Sequence, residues 1–439
     1  VCRGASGSEA ESLEREQVAL HDLLQTEAGR NLIRGCVLQQ RSRRLLHDSA
    51  VNPLPKSTKR AAVIGAGVMG AGIAQWISSR ATPVVLQDID NTRVAAGIQA
   101  IHKTYVGGVK RGLFSKHEAM RLIEGVSPMV GQVPLHQQDV VIEAAVENLD
   151  LKKKIFADLC ERTRDDAILA TNTSALPIGE LAVAEGITNP GRILGLHFFN
   201  PVHRMKLVEV VIAEQTAPEA AEAALRFVRK IGKLPVIVSD SPGFLVNRIL
   251  MPYLIAAGKL FDGGLDPHEI DEAMLDFGMP MGPLRLLDEI GLEVAMHVAD
   301  TMQSSFGERL ATPPILRKLV EHGYLGRKSG AGFFQYGKKK RKPGLHSEAL
   351  DLRSSGRQNS IARTTISTFL AGLTVEEAKL CLEEKVVKST NDIDFAMIMG
   401  TGWAPHRGGP MRYLETMGEA EFEERFEAAR GVMADEAQM

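Results

Sequence analysis

Cysteine is scarce in this 439-residue sequence, and its four cysteines are far apart. They occur at Cys2, Cys36, Cys160 and Cys381 and form no C-x-x-C pair. This spacing argues against a disulfide framework and against the usual zinc and redox motifs. We therefore expect free thiols in a reducing compartment and no metal site.

The sequence also lacks an excess of charge of either sign and a long apolar run. Its 52 Lys and Arg residues against 54 Asp and Glu residues leave a formal net charge of −2, whereas a nucleic-acid partner requires a basic face. The most apolar stretch, residues 61–77, is interrupted by four glycines and falls short of the ~20 apolar residues of a membrane helix. We expect no nucleic-acid partner and no membrane span.

What the sequence does contain is a hydrophobic fraction of 44%, enough for a large core. In residues 1–58, the apolar pattern predicts one or two amphipathic helices, and a Pro/Ser/Lys segment after them predicts a linker. In residues 59–239, short β-branched runs alternate with helix-length segments. That alternation predicts an α/β fold with a Rossmann-type, doubly wound, mostly parallel sheet. The predicted strands are residues 61–64, 83–87, 140–143, 167–171, 193–197 and 206–211.

No further strand is expected after Ser239, and the remainder is an all-α region that repeats itself. Ile270 recurs as Ile393, 123 residues later, within the pattern Ile-Asp-x-Ala-Met. Pro283 recurs as Pro410, 127 residues later. We infer two duplicated helical modules, residues 240–336 and residues 337–439.

A glycine-rich segment at the end of the first predicted strand matches the G-x-G-x-x-G pattern. Gly65 allows a tight turn, Gly67 lets the backbone approach a pyrophosphate, and Gly70 lets the following helix pack closely on the strand. Val68 and Met69 complete the motif, where the helix N-terminus would face the phosphates. The strand before it and the helix after it favour a dinucleotide site over a turn without a ligand.

Asp88 ends the next predicted strand, 18 residues after Gly70. A carboxylate at this place can accept hydrogen bonds from ribose hydroxyls and would repel a 2′-phosphate, so NAD is favoured over NADP. Arg93 lies nearby, and we interpret it as a charge on the helix surface.

Along the sequence, His197 and Glu209 lie the same number of residues before and after His203. They fall in two predicted strands joined by a short connection. In an antiparallel pair they would be cross-strand neighbours. A carboxylate beside an imidazole fixes its tautomer and stabilises the imidazolium, as a general base for hydroxyl oxidation requires. The alternative is a buried structural histidine.

Two polar residues are candidates to face a cleft at the carboxyl edge of the sheet. Ser174 follows a strand and could bind a substrate oxygen, or could cap the next helix. Ser241 and Pro242 predict a helix start, which would place Asn247 about one turn in, facing the cleft. Spacing alone favours a structural role for Asn247.

Six segments together resemble L-3-hydroxyacyl-coenzyme A dehydrogenases, over most of the chain from Lys59 to Gly418. They are residues 65–70, 143–148, 171–174, 195–201, 240–248 and 326–333. The resemblance implies NAD-dependent oxidation of (3S)-3-hydroxyacyl-CoA to 3-oxoacyl-CoA in fatty-acid β-oxidation.

The resemblance also implies roles for single residues. His197 would be the base, Glu209 would orient it, and Ser174 and Asn247 would hold the substrate oxygen. Asn200 would line the substrate site. The remaining positions implied for cofactor, cleft or CoA phosphates are Asp88, Glu147, Lys152, Lys328 and, from approximate alignment, Lys110 or Arg111.

The duplicated module and the basic run 338–342 narrow the resemblance to multifunctional enzymes that fuse an enoyl-CoA hydratase to the dehydrogenase. Residues 9–40 resemble the closing helix of that hydratase, whose fold is too large for 58 residues, so hydratase activity is not expected. A thiolase subunit or a fused hydratase is the implied partner, and a dimer is not required. A bacterial cytoplasm is the expected location, with a peroxisome or mitochondrion as alternatives.

Two rival functions stay open from the residues. One is a non-catalytic NAD-binding protein, like the crystallin-like relatives of this family. The other is a dehydrogenase for a free hydroxy acid, which would need an anion-binding arginine. Arg204 and Arg248 are the nearest candidates, although Arg204 falls in a turn and Arg248 is expected to face away from the cleft.

Overall fold

A computed structural model describes residues 8–45, 58–337, 344–355 and 360–437. Cys2, the first part of the predicted linker and the basic run 338–342 lie outside the described residues. The chain forms two N-terminal helices, a sheet with helices on both faces, and a helical region.

The N-terminal helices are α1 (Glu9–Gln25) and α2 (Glu27–Arg43). Ser8 and Thr26 cap them, each accepting a hydrogen bond from a backbone N–H of the first turn, as N-cap residues do. α1 has no buried residue, whereas α2 buries Asn31 and Leu38 against the rest of the chain. Of the two amphipathic helices, α2 thus buries side chains against the rest of the chain, whereas α1 has none that is buried.

The sheet has eight strands in the order β3-β2-β1-β4-β5-β6-β7-β8. All neighbouring pairs are parallel except β6 and β7. The strands are β1 (Ala61–Ile64), β2 (Val84–Asp88), β3 (Val126–Val130), β4 (Val140–Glu143), β5 (Ile168–Thr171), β6 (Ile193–Phe198), β7 (Leu207–Ile212) and β8 (Leu234–Ser239). The predicted Rossmann-type sheet is confirmed, and β3 and β8 are the strands that the prediction omitted.

Helices cover both faces of this sheet. They are α3 (Val68–Ser78), α4 (Asn91–Lys110), α5 (Lys116–Glu124), α6 (Leu149–Arg162), α7 (Ile178–Ala182) and α8 (Pro218–Lys230). Alternate residues of β1 enter different cores, because side chains point to opposite faces of a strand. Ala61 and Val63 pack in one cluster, whereas Ala62 and Ile64 belong to a larger cluster that continues into the helical region.

Ten helices form the helical region within the described residues. They are α9 (Val246–Asp262), α10 (Pro267–Phe277), α11 (Pro283–Ile290), α12 (Leu292–Phe306), α13 (Pro314–Glu321), α14 (Ser347–Asp351), α15 (Arg363–Glu383), α16 (Thr390–Thr401), α17 (Pro410–Met417) and α18 (Glu419–Ala437). The order of α9 to α12 is repeated by α15 to α18. Left-handed glycines end both α10 and α16, at Gly278 and Gly402.

Two expectations for this region were wrong in detail. Strands do not stop at Ser239, because β9 (Phe334–Gln335) and β10 (Gly344–Leu345) form a small antiparallel pair. Ser241 and Pro242 do not begin the helix. Gly243 and Phe244 have positive φ angles of 73° and 53°, which no helix can include, so α9 starts at Val246.

Candidate active site

A cleft of about 890 Å³ opens at the carboxyl ends of β1, β2, β4 and β5. This is the edge where ligands bind in doubly wound sheets. Its opposite wall comes from α12, through Glu293, Val294, His297 and Val298. The cleft therefore lies between the sheet and the first helical module.

The glycine segment forms the floor of the cleft. Gly65 has φ 102°, and a Cβ there would lie 2.5 Å from the carbonyl oxygen of Ala144. A Cβ on Gly70 would lie 1.8 Å from the carbonyl oxygen of Gly65, whereas none of the described atoms lies within 4 Å of a Cβ on Gly67. Gly65 and Gly70 are thus required by packing, and the side of Gly67 is open for a ligand to approach. Val68 and Met69 also line the cleft, so the site fits a dinucleotide pyrophosphate at the N-terminus of α3.

Asp88 lies at the end of β2 and lines the same cleft. Its carboxylate accepts hydrogen bonds from the backbone N–H groups of Ala66 and Ile89, each at 2.7 Å. Arg93 also lines the cleft, with its Nε 3.4 Å from an Asp90 oxygen. Its interpretation as only a helix-surface charge was therefore incomplete.

A buried cluster of charges lies beside the cleft at the end of β4. Lys152 Nζ is 2.8 Å from both carboxylate oxygens of Glu143 and 3.4 Å from Glu147. The Thr171 hydroxyl donates to Glu143 at 2.6 Å. The side chains of Glu143 and Lys152 are 0% and 1% exposed, and such charges are tolerated only when paired. Lys152 and Glu147 are therefore held in place, although Glu143 was not among the predicted site residues.

Glu147 connects this cluster to Ser174. Its Oε1 accepts hydrogen bonds from the Ser174 backbone N–H at 2.8 Å and from the Thr173 hydroxyl at 2.5 Å. Asn172 lines the cleft too, and its Oδ1 accepts the Phe198 N–H at 2.9 Å. Asn172 was not among the predicted site residues either. Its place as a polar residue directly after a buried strand could have indicated it.

The predicted His197–Glu209 pair is present as a cross-strand pair of β6 and β7. His197 Nδ1 lies 2.6 Å from Glu209 Oε2. The other oxygen, Oε1, accepts the backbone N–H groups of Leu245 at 3.2 Å and Val246 at 2.9 Å, at the start of α9. Both side chains are buried. A carboxylate on Nδ1 favours the tautomer that leaves Nε2 free to accept a proton.

Asn247, in the first turn of α9, reaches across to the sheet. Its Nδ2 donates to the backbone carbonyl of Ser174 at 3.1 Å. The structure thus brings together Ser174 and Asn247, as well as His197 and Glu209, around the end of β5 and β6.

The other predicted residues lie further out. Lys328 pairs with Glu293 of the cleft wall and is half exposed. Asn200 is exposed in the connection between β6 and β7. Lys110 ends α4 and does not line the cleft.

A basic group lies beside the connection that carries Asn200. Burial lowers the pKa of His203 there, and the charges of Arg204, Arg111 and Lys233 lower it further. Lys233 Nζ donates to the carbonyl of Met205 at 2.5 Å. Burial and the charge of Arg80 lower the pKa of Lys233 to about 7. Of the two CoA-phosphate candidates, Arg111 is therefore the one whose charge acts on His203 in this connection.

Arg248 faces away from the cleft, as expected, and is fully buried. Its guanidinium is paired with Glu377 and Glu384, so its charge is not available to a free carboxylate substrate. Of the two arginines considered for the hydroxy-acid rival, this leaves Arg204, which is exposed.

Metal clusters and membrane-spanning helices are both absent from the described part of the chain. There, no group of three or more His, Cys, Asp or Glu side chains could hold a metal ion. None of the helices in it is long and apolar enough to cross a membrane. Cys36, Cys160 and Cys381 are free thiols.

Comparison with known proteins agrees with this geometry. The model of the 3-hydroxyacyl-CoA dehydrogenase NAD binding domain matches residues 60–241, and that of the 3-hydroxyacyl-CoA dehydrogenase C-terminal domain matches residues 243–336. The fatty acid oxidation complex subunit alpha of Acinetobacter baylyi is 36% identical over 385 residues, which are 86% of this chain and 53% of that protein. The chain thus spans about half the length of this relative.

Two solved structures are also similar. The 3-hydroxybutyryl-CoA dehydrogenase of Escherichia coli K12 is 28% identical, with a TM-score of 0.73, over 86% of this chain and 96% of that one. The (S)-3-hydroxybutyryl-CoA dehydrogenase of Ralstonia eutropha is 35% identical, with a TM-score of 0.61, over 64% of this chain and 100% of that one. The chain therefore belongs to the 3-hydroxyacyl-CoA dehydrogenase family, with NAD as the cofactor of its first domain.

Proposed function

We propose that this chain oxidises (3S)-3-hydroxyacyl-CoA to 3-oxoacyl-CoA with NAD. The observation that carries the proposal is the buried His197–Glu209 pair, with a hydrogen-bond distance of 2.6 Å, beside a cleft that fits a dinucleotide. When bound, NAD supplies the acceptor for the hydride that leaves C3 of the substrate.

In this reaction His197 Nε2 takes the proton of the C3 hydroxyl. Glu209 stabilises the imidazolium that forms, and it is itself held by two N–H groups of α9. The proton and the hydride together remove two electrons and two hydrogens, which converts the alcohol to a ketone. Ser174 and Asn247 hold the oxygen atom at which this happens.

The same proposal assigns the surrounding residues. Gly65, Gly67, Val68, Met69 and Gly70 would form the turn and helix start that hold the pyrophosphate. Asp88 would bind the adenosine ribose, and Glu147, Lys152 and Lys328 would border the cofactor and substrate. Asn200 would line the substrate site. The CoA phosphates would bind Lys110 or Arg111, and the charge of Arg111 acts on His203 in the connection that carries Asn200.

The domain bounds, assembly and location belong to this proposal as well. The NAD-binding domain would be residues 59–239, with helical modules at 240–336 and 337–439 and a helical extension before residue 59. Because the second module repeats the first, no dimer would be needed. The similarity to a fatty acid oxidation complex subunit alpha supports a role in fatty-acid oxidation. A thiolase subunit or a fused hydratase as partner, and a bacterial cytoplasm as location with a peroxisome or mitochondrion as alternatives, are proposed from the sequence resemblance.

The test is the loss of NADH absorbance with acetoacetyl-CoA, with free acetoacetate measured alongside. Turnover of the thioester alone is the expected result. Turnover of free acetoacetate would favour a hydroxy-acid dehydrogenase, and NADH binding without turnover of either would favour a non-catalytic role.

His197→Gln tests the base directly. It should lower kcat by about 10²–10⁴-fold because general-base catalysis contributes that much, while NADH binding is kept. His136→Gln, an exposed histidine after the Rossmann strand β3, is the matched control and should leave kcat unchanged. Near-normal turnover of His197→Gln would contradict the assignment.

A further inference from the structure

Arg248 is a fully buried charge on the helix that carries Asn247. Its Nε lies 2.9 Å from Glu377, and its two terminal nitrogens lie 2.8 Å from the two oxygens of Glu384. Glu377 is in α15 and Glu384 directly follows it, so both partners belong to the second helical module. Because a buried charge is costly unless it is paired, this pairing fixes where α9 meets α15.

The start of α9 is hydrogen-bonded to Glu209, the carboxylate that pairs with the proposed base. Leu245 and Val246 donate their N–H groups to Glu209, and Asn247 donates to Ser174. These bonds require the first turn of α9 to stay within hydrogen-bond distance of β5 and β7.

The segment that leads into α9 has a backbone conformation that costs free energy. Phe244 has φ 53°, a left-handed conformation for a residue with a Cβ, which persists only when surrounding contacts impose it. α9 also begins without a side-chain cap within its own segment. Arg248, in the first turn, supplies such contacts, and its guanidinium also lies 4.6 Å from the centre of the Phe306 ring.

We propose that Arg248 is a positioning residue, through which the second helical module holds the start of α9 against the His197–Glu209 pair. Arg248 acts through α9 and Glu209 and touches neither substrate nor cofactor. The inference rests on the proposed function, because it assigns the second module a part in that reaction. Without Arg248, α9 would shift, Glu209 would lose its two N–H partners, and the imidazolium of His197 would be stabilised less.

The test compares Arg248→Met, Arg248→Lys and Glu384→Gln in the full chain. Arg248→Met should lower kcat by about 10–100-fold, since misplacement by about 1 Å can cost that much, with the KM for NADH unchanged. Arg248→Lys keeps a charge and should recover part of the loss. Glu384, whose side chain is 50% exposed, can be neutralised with little effect on folding, and Glu384→Gln should lower kcat by about 3–10-fold.

Arg363→Gln is the matched control. Arg363 pairs with Glu269 at 2.8 Å and so also links the two modules, but it lies on the surface at the start of α15. The kcat of Arg363→Gln should equal that of the wild type. A kcat of Glu384→Gln or of folded Arg248→Met equal to that of Arg363→Gln would overturn the proposal.

The proposed function and this inference can fail separately. Turnover by the wild type with unaffected Arg248 variants would overturn only the inference. If the wild type does not turn over acetoacetyl-CoA, the titration of His197 by NMR decides instead. A changed His197 pKa in Glu384→Gln but not in Arg363→Gln would support the positioning role, and equal titrations would overturn it.

Discussion

The two helical modules are built alike around a buried aspartate. In the first, Asp271 of α10 accepts the backbone N–H groups of Leu284 and Arg285 at the start of α11. In the second, Asp394 of α16 accepts those of Met411 and Arg412 at the start of α17. Each carboxylate thus caps the next helix from a distance, as a local N-cap residue would.

A glycine precedes each of the capped helices for the same reason. A Cβ on Gly282 would lie 2.2 Å from Asp271, and a Cβ on Gly409 would lie 2.4 Å from Asp394. The carboxylate can therefore reach the helix N-terminus only where the side chain is absent. The repeated Asp and Gly positions are a packing device, independent of any ligand.

The modules differ in what surrounds that device. Asp394 forms an ion pair with Arg34 of α2 at 2.8 Å, whereas Asp271 makes no ion pair in the part of the chain that the structure describes. The first module instead provides α12 as the wall of the cleft, and α18 of the second module contributes nothing to it among the described residues. One copy lines the cleft, and the other is paired with the N-terminal extension.

The largest expected effect comes from removing the charge on α2. Arg34→Met would leave Asp394, whose side chain is 0% exposed, as an uncompensated buried charge. Removing one partner of a buried pair costs about 3 kcal/mol or more of unfolding free energy. Urea unfolding of the full chain, followed by circular dichroism, measures the loss.

Two variants make this result specific to the second module. Arg30→Met, one turn earlier on the exposed side of α2, should change the unfolding free energy little. Asp394→Asn should recover part of the stability of Arg34→Met, because it removes the unpaired charge. Equal stability of Arg34→Met and wild type would mean that α2 does not support the second module.

A smaller difference between the modules should appear in how their contributions to stability depend on pH. Burial raises the pKa of Asp271 to about 7 and that of Asp394 to about 6. Both values lie above the unfolded value of about 3.9, so the folded state binds these protons more tightly. The stability gained in this way is present at low pH and is lost as the pH rises to each folded pKa.

Asparagine variants isolate each aspartate. Relative to Asp271→Asn, the wild type should lose about 1.4 kcal/mol per pH unit up to about pH 7. Relative to Asp394→Asn, the loss should end about one unit lower, near pH 6. Unfolding free energies measured across this range check both slopes. Losses that end at the same pH for both sites would show that Arg34 does not distinguish them.

Sequence patterns predicted the central parts of the fold and site because those parts are local. His197 and Glu209 are equally far along the sequence from the connection between their strands. This was enough to predict their pairing, because a short connection between two strands sets the register. The glycine segment and Asp88 were recognised because a turn, a helix start and a strand end lie within one βαβ unit.

The features that were missed depend on distant or irregular contacts. β3 is an edge strand with Pro128 and four exposed residues, so no apolar alternation marks it. The partners of Arg248 lie 129 and 136 residues along the chain, beyond any local pattern. The start of α9 was displaced because Phe244 adopts a left-handed conformation that sequence propensity disfavours.

The smallest expected effect compares equivalent surface positions of the two modules. His297 is the sixth residue of α12 and lines the cleft, whereas Glu424 is the sixth residue of α18 and does not. Both side chains are exposed, so each contributes little to stability. His297→Ala should weaken NADH binding by about two- to fivefold, because a partly solvated contact is worth about 0.5–1 kcal/mol, and Glu424→Ala should leave it unchanged. Fluorescence titration with NADH measures both, and equal affinities would mean that α12 borders the cleft without contributing to cofactor binding.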